Sequence, residues 1–287
     1  MIAQSFQYEA PTTLQDAIGL LQKYGDEAKI LAGGHSLIPM MKLRFATPGY
    51  LIDINNIPSL SSIREEGGSI WIGALVREAE VEHSALLKGY YPIFADVTKL
   101  IADPQVRNMG TIGGNLAHGD AANDHPAVML ALRASVIATG PGGSRTIPID
   151  DFFQGFYTTA LGPEEILTEI QIPVPASHTG SAYLKLERKV GDYAIAGVGV
   201  VLTLDGDTVK SIGIGLTNVN PVPMRASRSE EFLLGKPLTD QNIAQAGRLA
   251  AEDCSPSTDL RGSEEYKRDM VAVVLRRMVK LAAERAK

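Results

Sequence analysis

Two short glycine-rich segments hold the residue types best suited to bind a ligand. The first is Leu31-Ala-Gly-Gly-His-Ser-Leu-Ile38, and the second is Gly110-Thr-Ile-Gly-Gly-Asn-Leu116. Because glycine has no side chain, its backbone can approach a ligand closely and present consecutive N–H groups. Such groups form a concavity that binds anions. We therefore interpret the two segments as the two halves of a clamp for the phosphates of a dinucleotide.

Each glycine pair alone is also typical of a plain tight turn. Neither segment reads G-x-G-x-x-G after a strand, so a Rossmann dinucleotide site is not supported. The chain has no G-x-x-x-x-G-K-[ST] segment, which disfavours a P-loop NTPase. The side chains of Ser36, Thr111 and Asn115 add hydroxyl and amide groups to the two segments.

Four residues just after the second segment, His118, Asp120, Asp124 and His125, resemble a mixed nitrogen and oxygen metal set. We favour a turn instead, in which Asp124 caps the helix that starts near residue 126, because the stretch is rich in turn residues. His35 has three interpretations, in decreasing order of preference: contact with a phosphate or ribityl group, capping of the next turn, and covalent flavin attachment.

Other polar residues keep two interpretations each. Tyr193 is a turn residue or a lid over one face of a flat aromatic cofactor. Lys185 is a strand-edge charge or a cationic neighbour of a flavin, where negative charge develops on reduction. Arg107 binds phosphate or holds its loop by a salt bridge, and we favour the second. Cys254 follows two acidic residues, which raise a thiol pKa, so we do not expect an activated nucleophile.

The hydrophobic pattern predicts the elements that position these residues. A helix should begin after Thr13 and end at Gly25, between short strands at 29–32 and 50–54. This small α/β unit covers about residues 1–55. A second unit, about 56–176, contains predicted strands at 69–73, 134–139, 145–149 and 165–172, and helices at 77–83 and 92–101. A breaker cluster of Pro173, Pro175, Ser177 and Gly180 follows, and predicts a domain boundary.

The remaining residues, 177–287, predict a three-stranded antiparallel sheet followed by helices. The strands are 183–190, 195–204 and 209–219, with a tight turn at Asp205-Gly-Asp207. The helices are 226–235, 239–253 and 262–286. The expected fold class is therefore α+β, with domains at 1–176 and 177–287.

Composition limits the function. The chain has 287 residues, 27 Lys and Arg against 33 Asp and Glu, and a formal net charge of −6. This balance argues against nucleic acid as a partner. The single cysteine excludes an intrachain disulfide and an iron–sulfur cluster held by this chain alone. No apolar stretch approaches the roughly 20 residues of a spanning helix, so we expect no integral membrane insertion. We also expect no secretory signal and no metal site.

Together, the two glycine segments resemble the paired FAD-binding motifs of the flavoprotein (medium) subunits of molybdenum hydroxylases, the xanthine dehydrogenase family. The resemblance also covers Phe6-x-Tyr8-x-x-Pro11, Leu161-Gly-Pro-Glu-Glu-Ile-Leu167, Lys185-x-x-Arg188 and Gly191-Asp-Tyr193. The stretch 119–126 looks most like the carbon monoxide dehydrogenase branch.

The resemblance implies a two-subdomain FAD-binding domain of the vanillyl-alcohol-oxidase type, with noncovalent FAD reaching toward the C-terminal domain. It implies no catalytic residue in this chain, because the substrate site would lie on another subunit. The implied cofactor-binding residues are Leu31, Ala32, Gly33, Gly34, His35, Ser36, Leu37, Ile38, Ile101, Thr111, Gly113, Gly114, Asn115, Asp124, Leu167, Lys185 and Tyr193.

The resemblance further implies a large subunit with the molybdenum cofactor and copper, and a small subunit with [2Fe-2S] clusters, in a dimer of heterotrimers. The implied reaction is oxidation of CO with water to CO2. Electrons would pass through FAD to a quinone or similar acceptor, in the cytoplasm or at the inner face of the membrane. Gly191-Asp192-Tyr193 replaces a more acidic run, which disfavours NAD as acceptor. The alternatives are an N-heterocycle or aldehyde oxidising relative, a self-sufficient flavin oxidase, and a noncatalytic nucleotide-binding or assembly protein.

Overall fold

Three parallel strands form the first sheet of the computed structural model, which describes residues 2–287. They are β1 (Gln7–Glu9), β2 (Ala28–Leu31) and β3 (Tyr50–Asp53), in the order β1-β3-β2. Helix α1 (Leu14–Tyr24) begins where Thr13 accepts the Asp16 N–H, and buries Ala17, Ile18 and Leu21. It ends at Gly25, which takes a φ of 52°, so the predicted helix is confirmed. A short helix, α2 (Leu37–Lys42), follows β2.

The second unit is built on a five-stranded antiparallel sheet. The strands of this region are β4 (Ile63–Glu66), β5 (Ser69–Gly73), β6 (Ser135–Gly140), β7 (Gly143–Pro148), β8 (Phe153–Gly155), β9 (Thr158–Thr159) and β10 (Ile166–Pro173). The sheet order is β4-β5-β10-β6-β7, while β8 and β9 pair separately. The helices are α3 (Glu78–His83), α4 (Ala85–Tyr90), α5 (Ile93–Leu100), α6 (Pro104–Met109), α7 (Ile112–Ala117) and α8 (Asp124–Ala131).

The C-terminal region has four antiparallel strands rather than the predicted three. They are β11 (Thr179–Leu186), β12 (Ala196–Asp205), β13 (Thr208–Thr217) and β14 (Met224–Arg225). The two-residue strand β14 was missed because its place in the sheet depends on tertiary ion pairs of Arg225 with Asp150 and Glu230. Helices α9 (Ser227–Leu233), α10 (Asp240–Asp253) and α11 (Glu264–Arg285) complete the fold.

The turn between β11 and β12 differs from the predicted strand at 183–190. The strand begins at Thr179 and ends at Leu186, and Gly191 takes a φ of 79° in the connection that follows. A side chain at Gly191 would collide with the backbone oxygen of Ala102. This close approach brings the C-terminal region against the loop after α5.

Helix α8 lies directly on the C-terminal sheet, since glycines of β13 leave room for it. A Cβ atom at Gly213 or Gly215 would collide with the backbone oxygens of Ala131 and Ala127. The first residue of α8, Asp124, also contacts β11 through Tyr183 and Lys185. Between residues 2 and 287, no helix is both long and apolar enough to cross a membrane.

Candidate functional site

A cleft of about 560 Å³ runs between the loop after β2, the region of α6 and α7, and the connection after β11. Its size falls within the range of roughly 300–1,000 Å³ that small-molecule sites occupy. Most of the predicted site residues line it: Ala32, Gly33, Gly34, His35, Ser36, Leu37, Ile101, Thr111, Gly114, Asn115, Asp124, Lys185 and Tyr193. The chain thus brings together residues that are as much as 161 positions apart in sequence.

The first glycine segment presents a run of free backbone donors. Within residues 2–287, the N–H groups of residues 33–37 donate to no protein acceptor. Gly34 has a φ of 73°, a conformation that glycine adopts without strain. The imidazole of His35 donates from Nδ1 to the Gly33 carbonyl at 2.8 Å, which closes the loop on itself. This loop has the donors that an anionic group requires.

The second segment uses most of its backbone donors internally. Thr111 caps α7, and its Oγ1 accepts the Gly114 N–H at 3.1 Å. The Ile112 and Gly113 N–H groups donate to the Val76 and Ala74 carbonyls at 3.1 and 3.0 Å. The N–H groups of residues 112–114 are therefore not free to bind phosphate as the clamp interpretation expected, because α7 and its contacts with Val76 and Ala74 occupy them.

The two segments touch each other. A Cβ atom at Gly33 would collide with the Met109 carbonyl and lie 2.7 Å from the Gly110 Cα. The guanidinium of Arg77, a residue that sequence reasoning missed, donates to the Met109 carbonyl at 2.5 Å and to Asn55 Oδ1 at 2.6 Å. Arg77 thereby fixes the loop before α7 against the first unit.

A buried polar network lies at the junction with the C-terminal sheet. Lys185 Nζ donates to Asp124 Oδ2 at 2.8 Å, and the Tyr183 hydroxyl donates to Asp124 Oδ1 at 2.5 Å. Burial raises the pKa of the Asp124 carboxyl, opposed by the Lys185 charge, and burial raises the pKa of Tyr183 well above its usual range. The expectation that Asp124 caps α8 is wrong: Asn123 holds the N-cap position, and the Asp124 carboxylate pairs with Lys185 instead.

Tyr193 lies on the wall of the cleft that the C-terminal region provides. The Arg261 guanidinium lies over its ring, 5.4 Å from the centroid, and also donates to Asp192 at 2.9 Å. This hydrogen bond lowers the pKa of Asp192 to about 2. Burial raises the pKa of the Tyr193 phenol, although 43% of the residue is exposed. A half-exposed aromatic ring in this position suits a lid.

Sequence reasoning missed other residues that line the cleft. Tyr157 packs on His118 with ring centroids 4.8 Å apart, and burial lowers the pKa of His118. Glu78 also lines the cleft, although no local pattern distinguishes it from the other acidic residues of α3. The one available signal in the sequence was the adjacent aromatic pair Phe156-Tyr157.

Four predicted site residues do not line the cleft: Leu31, Ile38, Gly113 and Leu167. Leu31 and Ile38 lie behind Gly34, where a Cβ would be 3.2 Å and 2.7 Å from their side-chain methyl groups. Gly113 faces Ala74, and Leu167 is buried in the second sheet opposite Ala138. Their carry-over from the resemblance stays a prediction.

Two residues discussed for other chemistry have structural surroundings instead. Arg107 pairs with Glu82 at 2.9 Å and donates to the Ile101 carbonyl at 3.0 Å, as favoured from the sequence. Cys254 is buried, and burial raises the pKa of its thiol to about 12. Across residues 2–287, no three His, Cys, Asp or Glu side chains are grouped to hold a metal ion.

Two family models together match nearly the whole chain. Residues 4–175 match the family model of the FAD binding domain in molybdopterin dehydrogenase, and residues 181–282 match the CO dehydrogenase flavoprotein C-terminal domain. The chain therefore belongs to the FAD-binding family of the molybdopterin dehydrogenases. The members of this family that it matches are oxidoreductase subunits.

Among its relatives in the FAD-binding family is the carbon monoxide dehydrogenase medium chain of Hydrogenophaga pseudoflava, 48% identical across 98% of both chains. The glyceraldehyde dehydrogenase medium chain of Sulfolobus acidocaldarius is 36% identical, across 99% of this chain and 100% of that one. A solved structure of the H. pseudoflava carbon monoxide dehydrogenase, in a form that lacks the Mo-pyranopterin moiety, has 49% identity. It matches with a TM-score of 0.98 over 99% of each chain.

The arrangement of the residues that line the cleft fits FAD. The free N–H groups of residues 33–37 are donors for a pyrophosphate. On the same cleft, Asn115 Oδ1 is buried without a protein partner, an acceptor that a bound polar ligand would satisfy. Because Gly114 has no side chain, the space beside it stays open. A Cβ atom at Gly114 would lie 2.7 Å from Thr111 Oγ1. Donors, an orphaned acceptor and close backbone approach are what a dinucleotide requires.

Proposed function

We propose that this chain is the FAD-binding medium subunit of an aerobic carbon monoxide dehydrogenase. The reaction would take place on a large molybdenum- and copper-containing subunit, where CO and water yield CO2, two protons and two electrons. Electrons would pass through [2Fe-2S] clusters on a small subunit, then through this chain's FAD to a quinone or similar acceptor. This chain supplies no catalytic residue to the CO site.

The observation that carries the proposal is the difference in identity among full-length relatives. Identity is 48% to a carbon monoxide dehydrogenase medium chain, against 36% to a glyceraldehyde dehydrogenase medium chain of the same architecture. Since both comparisons cover nearly the whole chain, the gap does not come from a missing domain. It supports CO over an aldehyde as the substrate of the assembled enzyme.

In this proposal the chain is divided into two functional domains. Residues 1–176, with subdomains of about 1–55 and 56–176, hold the cofactor, and residues 177–287 cover its ring and contact the partner subunits. The division is supported by the cleft, since its glycine segments come from the first part and Lys185 and Tyr193 from the second.

The chain's own residues would bind, orient and shield the cofactor. Bound FAD supplies one- and two-electron redox chemistry, which belongs to the cofactor itself. The N–H groups of residues 33–37 would hold its phosphates, and Asn115 would take a polar hydrogen. Lys185, fixed by Asp124, would place a compensated positive charge near the flavin, and Tyr193 would exclude water from one face.

The proposed partners are the large and small subunits, in a dimer of heterotrimers. We propose a cytoplasmic location for this assembly, either free or peripheral at the inner face of the membrane. A quinone acceptor favours the second, because quinones reside in the bilayer.

Native co-purification tests the proposal. The chain should be expressed with its partner subunits and the complex assayed for FAD, molybdenum, copper and iron, and for CO-dependent dye reduction. We expect FAD on this chain, copper together with molybdenum, and CO oxidation only by the assembled complex.

Three results would contradict the proposal in different ways. Molybdenum without copper, with turnover of an aldehyde or N-heterocycle, would keep the FAD subunit but replace CO as substrate. Turnover of an organic substrate by this chain without iron–sulfur partners would indicate a self-sufficient flavin oxidase. A complex purified without any flavin would overturn the cofactor role itself.

A further inference from the structure

A buried carboxylate at the wall of the cleft meets a buried imidazole behind it. His125 Nε2 lies 2.6 Å from Glu78 Oε2, and the side chains are 0% and 2% exposed. The two residues belong to α8 and α3 and lie 47 positions apart. A buried carboxylate is costly unless its oxygens are satisfied, so this pair requires an explanation beyond packing.

The second imidazole nitrogen fixes the direction of the hydrogen bond. His125 Nδ1 is buried and has no partner among residues 2–287. A carboxylate accepts hydrogen bonds but has none to donate, so a neutral imidazole with its proton on Nδ1 would leave both that buried N–H and the contact between Nε2 and Glu78 Oε2 without a hydrogen bond. The proton therefore lies on Nε2, which donates to Glu78 Oε2 and locks the orientation of the carboxylate.

The other carboxylate oxygen is available to a ligand. Glu78 lines the cleft, and within the described residues Oε1 accepts no hydrogen bond from the protein. Glu78 Oε1 is not fully enclosed by the protein, whereas the unpartnered Asn115 Oδ1 is. Glu78 therefore presents an oriented acceptor to the space that the ligand would occupy.

The position of Glu78 in the fold indicates which part of a bound ligand it contacts. The Glu78 N–H donates to the Gly110 carbonyl, and Gly110 touches Gly33 of the donor-rich loop. On the other side, His125 is next to Asp124, which pairs with Lys185. Glu78 thus lies between the anion-binding loop and the polar network near Tyr193.

The groups along the cleft change from donors to acceptors. Residues 33–37 offer N–H donors, whereas Glu78 Oε1 offers a carboxylate acceptor to the same cleft. A carboxylate repels phosphate and favours groups that donate, such as hydroxyls. In FAD, the segment that joins the pyrophosphate to the flavin ring is the ribityl chain, a polyol with three hydroxyl groups.

We infer that Glu78, oriented by His125, accepts a hydrogen bond from a ribityl hydroxyl of FAD. This inference rests on FAD as the cofactor in the proposed function, and it adds a specificity residue to that site. Glu78 acts by direct contact, and His125 is a positioning residue that acts through Glu78. A hydrogen bond to a charged group contributes enough to change affinity about 10–100-fold.

Flavin titration of the deflavinated complex tests the inference. The ligands are FAD and its 2′-, 3′- and 4′-deoxyribityl analogues, and the variants are Glu78→Ala, Glu78→Gln and the control Glu231→Gln. Glu231 is exposed and does not line the cleft. We expect Glu78→Ala to weaken FAD binding about 10–100-fold and Glu78→Gln to weaken it less. The control should leave the Kd unchanged.

The decisive readout is the coupling between the protein and ligand deletions. The wild-type complex should bind one analogue weakly, namely the one that lacks the hydroxyl bound by Glu78. Glu78→Ala should not reduce the affinity for that analogue any further. His125→Leu should weaken FAD but not that analogue, a ligand-specific pattern that lost stability alone does not produce. Glu78→Gln preserves the side-chain shape, so it gives the same comparison if Glu78→Ala does not fold.

Three outcomes overturn the inference. If Glu78 variants weaken FAD and all three analogues by the same factor, Glu78 is structural. If the variants leave the FAD affinity unchanged, it does not contact the ligand, while the proposed function stands. If the wild-type complex shows no saturable FAD binding, the proposed function fails first and the inference with it.

Discussion

The two glycine segments look alike in sequence but have different roles in the structure. In the first, residues 33–37 keep their N–H groups free of protein acceptors. In the second, the N–H groups of residues 112–115 all donate to protein oxygens, from Val76, Ala74 and Thr111. The free donors of the first segment suit an anion, whereas the donors of the second segment hold α7 in place.

The individual glycines differ in the same way. Gly34 is required for its φ of 73°, and Gly33 for the contact with Gly110. Gly113 is required because a Cβ would lie 2.5 Å from the Ala74 Cβ and 2.6 Å from the Ala74 Cα and carbonyl oxygen. A glycine pair therefore identifies a close approach, but the approaching group can be a ligand or another part of the chain.

The largest expected effect is the loss of stability in Gly113→Ala. The new methyl group must displace the Ala74 backbone, and overpacking of this kind costs about 1–3 kcal/mol in the free energy of unfolding. Denaturant unfolding of the flavin-free chain measures it. Gly19→Ala is the control, since nothing lies within 4 Å of that position in α1, and it should be neutral or slightly stabilising. A stable Gly113→Ala with lost FAD affinity would make the two segments equivalent after all.

Gly33→Ala should reduce FAD affinity because it separates the segments. Its methyl group would collide with the Met109 carbonyl and press on the Gly110 Cα. We expect a loss of about 10–100-fold in affinity, equivalent to roughly 1.4–2.8 kcal/mol, together with a smaller loss of stability than in Gly113→Ala. Flavin titration and unfolding on the same preparation check both. An unchanged Kd would mean that contact between the segments is irrelevant to binding.

Much of the fold followed from local patterns in the sequence. The helix after Thr13 and the Asp205-Gly-Asp207 turn were predicted from caps and glycine, and the main strands from apolar runs. Helices α6 and α7 were not predicted, whereas the helix expected to start near residue 126 is α8, which begins at Asp124. Helices α6 and α7 have only six residues each, and their stretch is rich in Gly and Asn, which are typical of turns. Their stability comes from tertiary packing, of α6 on α3 and of α7 on β10, which no local pattern reveals.

The candidate site was predictable where the sequence is locally unusual. The glycine segments and Tyr193 were found for this reason. Glu78, which lines the cleft, and Arg77, which fixes the loop before α7, were missed because they are positioned by the antiparallel contact of Arg77 with Thr111, across 34 positions of sequence. The roles of Asp124 and Lys185 also depended on partners 61 positions apart. Spacing within a motif cannot provide such tertiary pairings.

Gly34→Ala tests the conformation of the donor loop. An L-residue at a φ of 73° costs about 1–2 kcal/mol, which the chain can avoid by changing the loop. We expect FAD affinity to fall about tenfold, with a modest loss of stability. Gly206→Ala is the matched control, because Gly206 has a similar φ of 60° in the hairpin and nothing within 4 Å. It should lose stability without losing affinity. Equal affinity losses in both variants would show that strain, rather than the loop, weakens binding.

The smallest expected effect belongs to Thr111, the residue whose hydroxyl both caps α7 and lines the cleft. Thr111→Val removes the acceptor for the Gly114 N–H and should cost about 1 kcal/mol of stability. Because that hydroxyl is already used by the cap, its loss should weaken FAD binding only through the small shift of α7, by less than about tenfold. Thr111→Ser retains the hydroxyl and should restore both quantities. Unfolding and flavin titration separate the two roles: if Thr111→Val leaves stability intact but weakens FAD about 100-fold, the hydroxyl serves the ligand directly. The second segment would then share in binding as the first does.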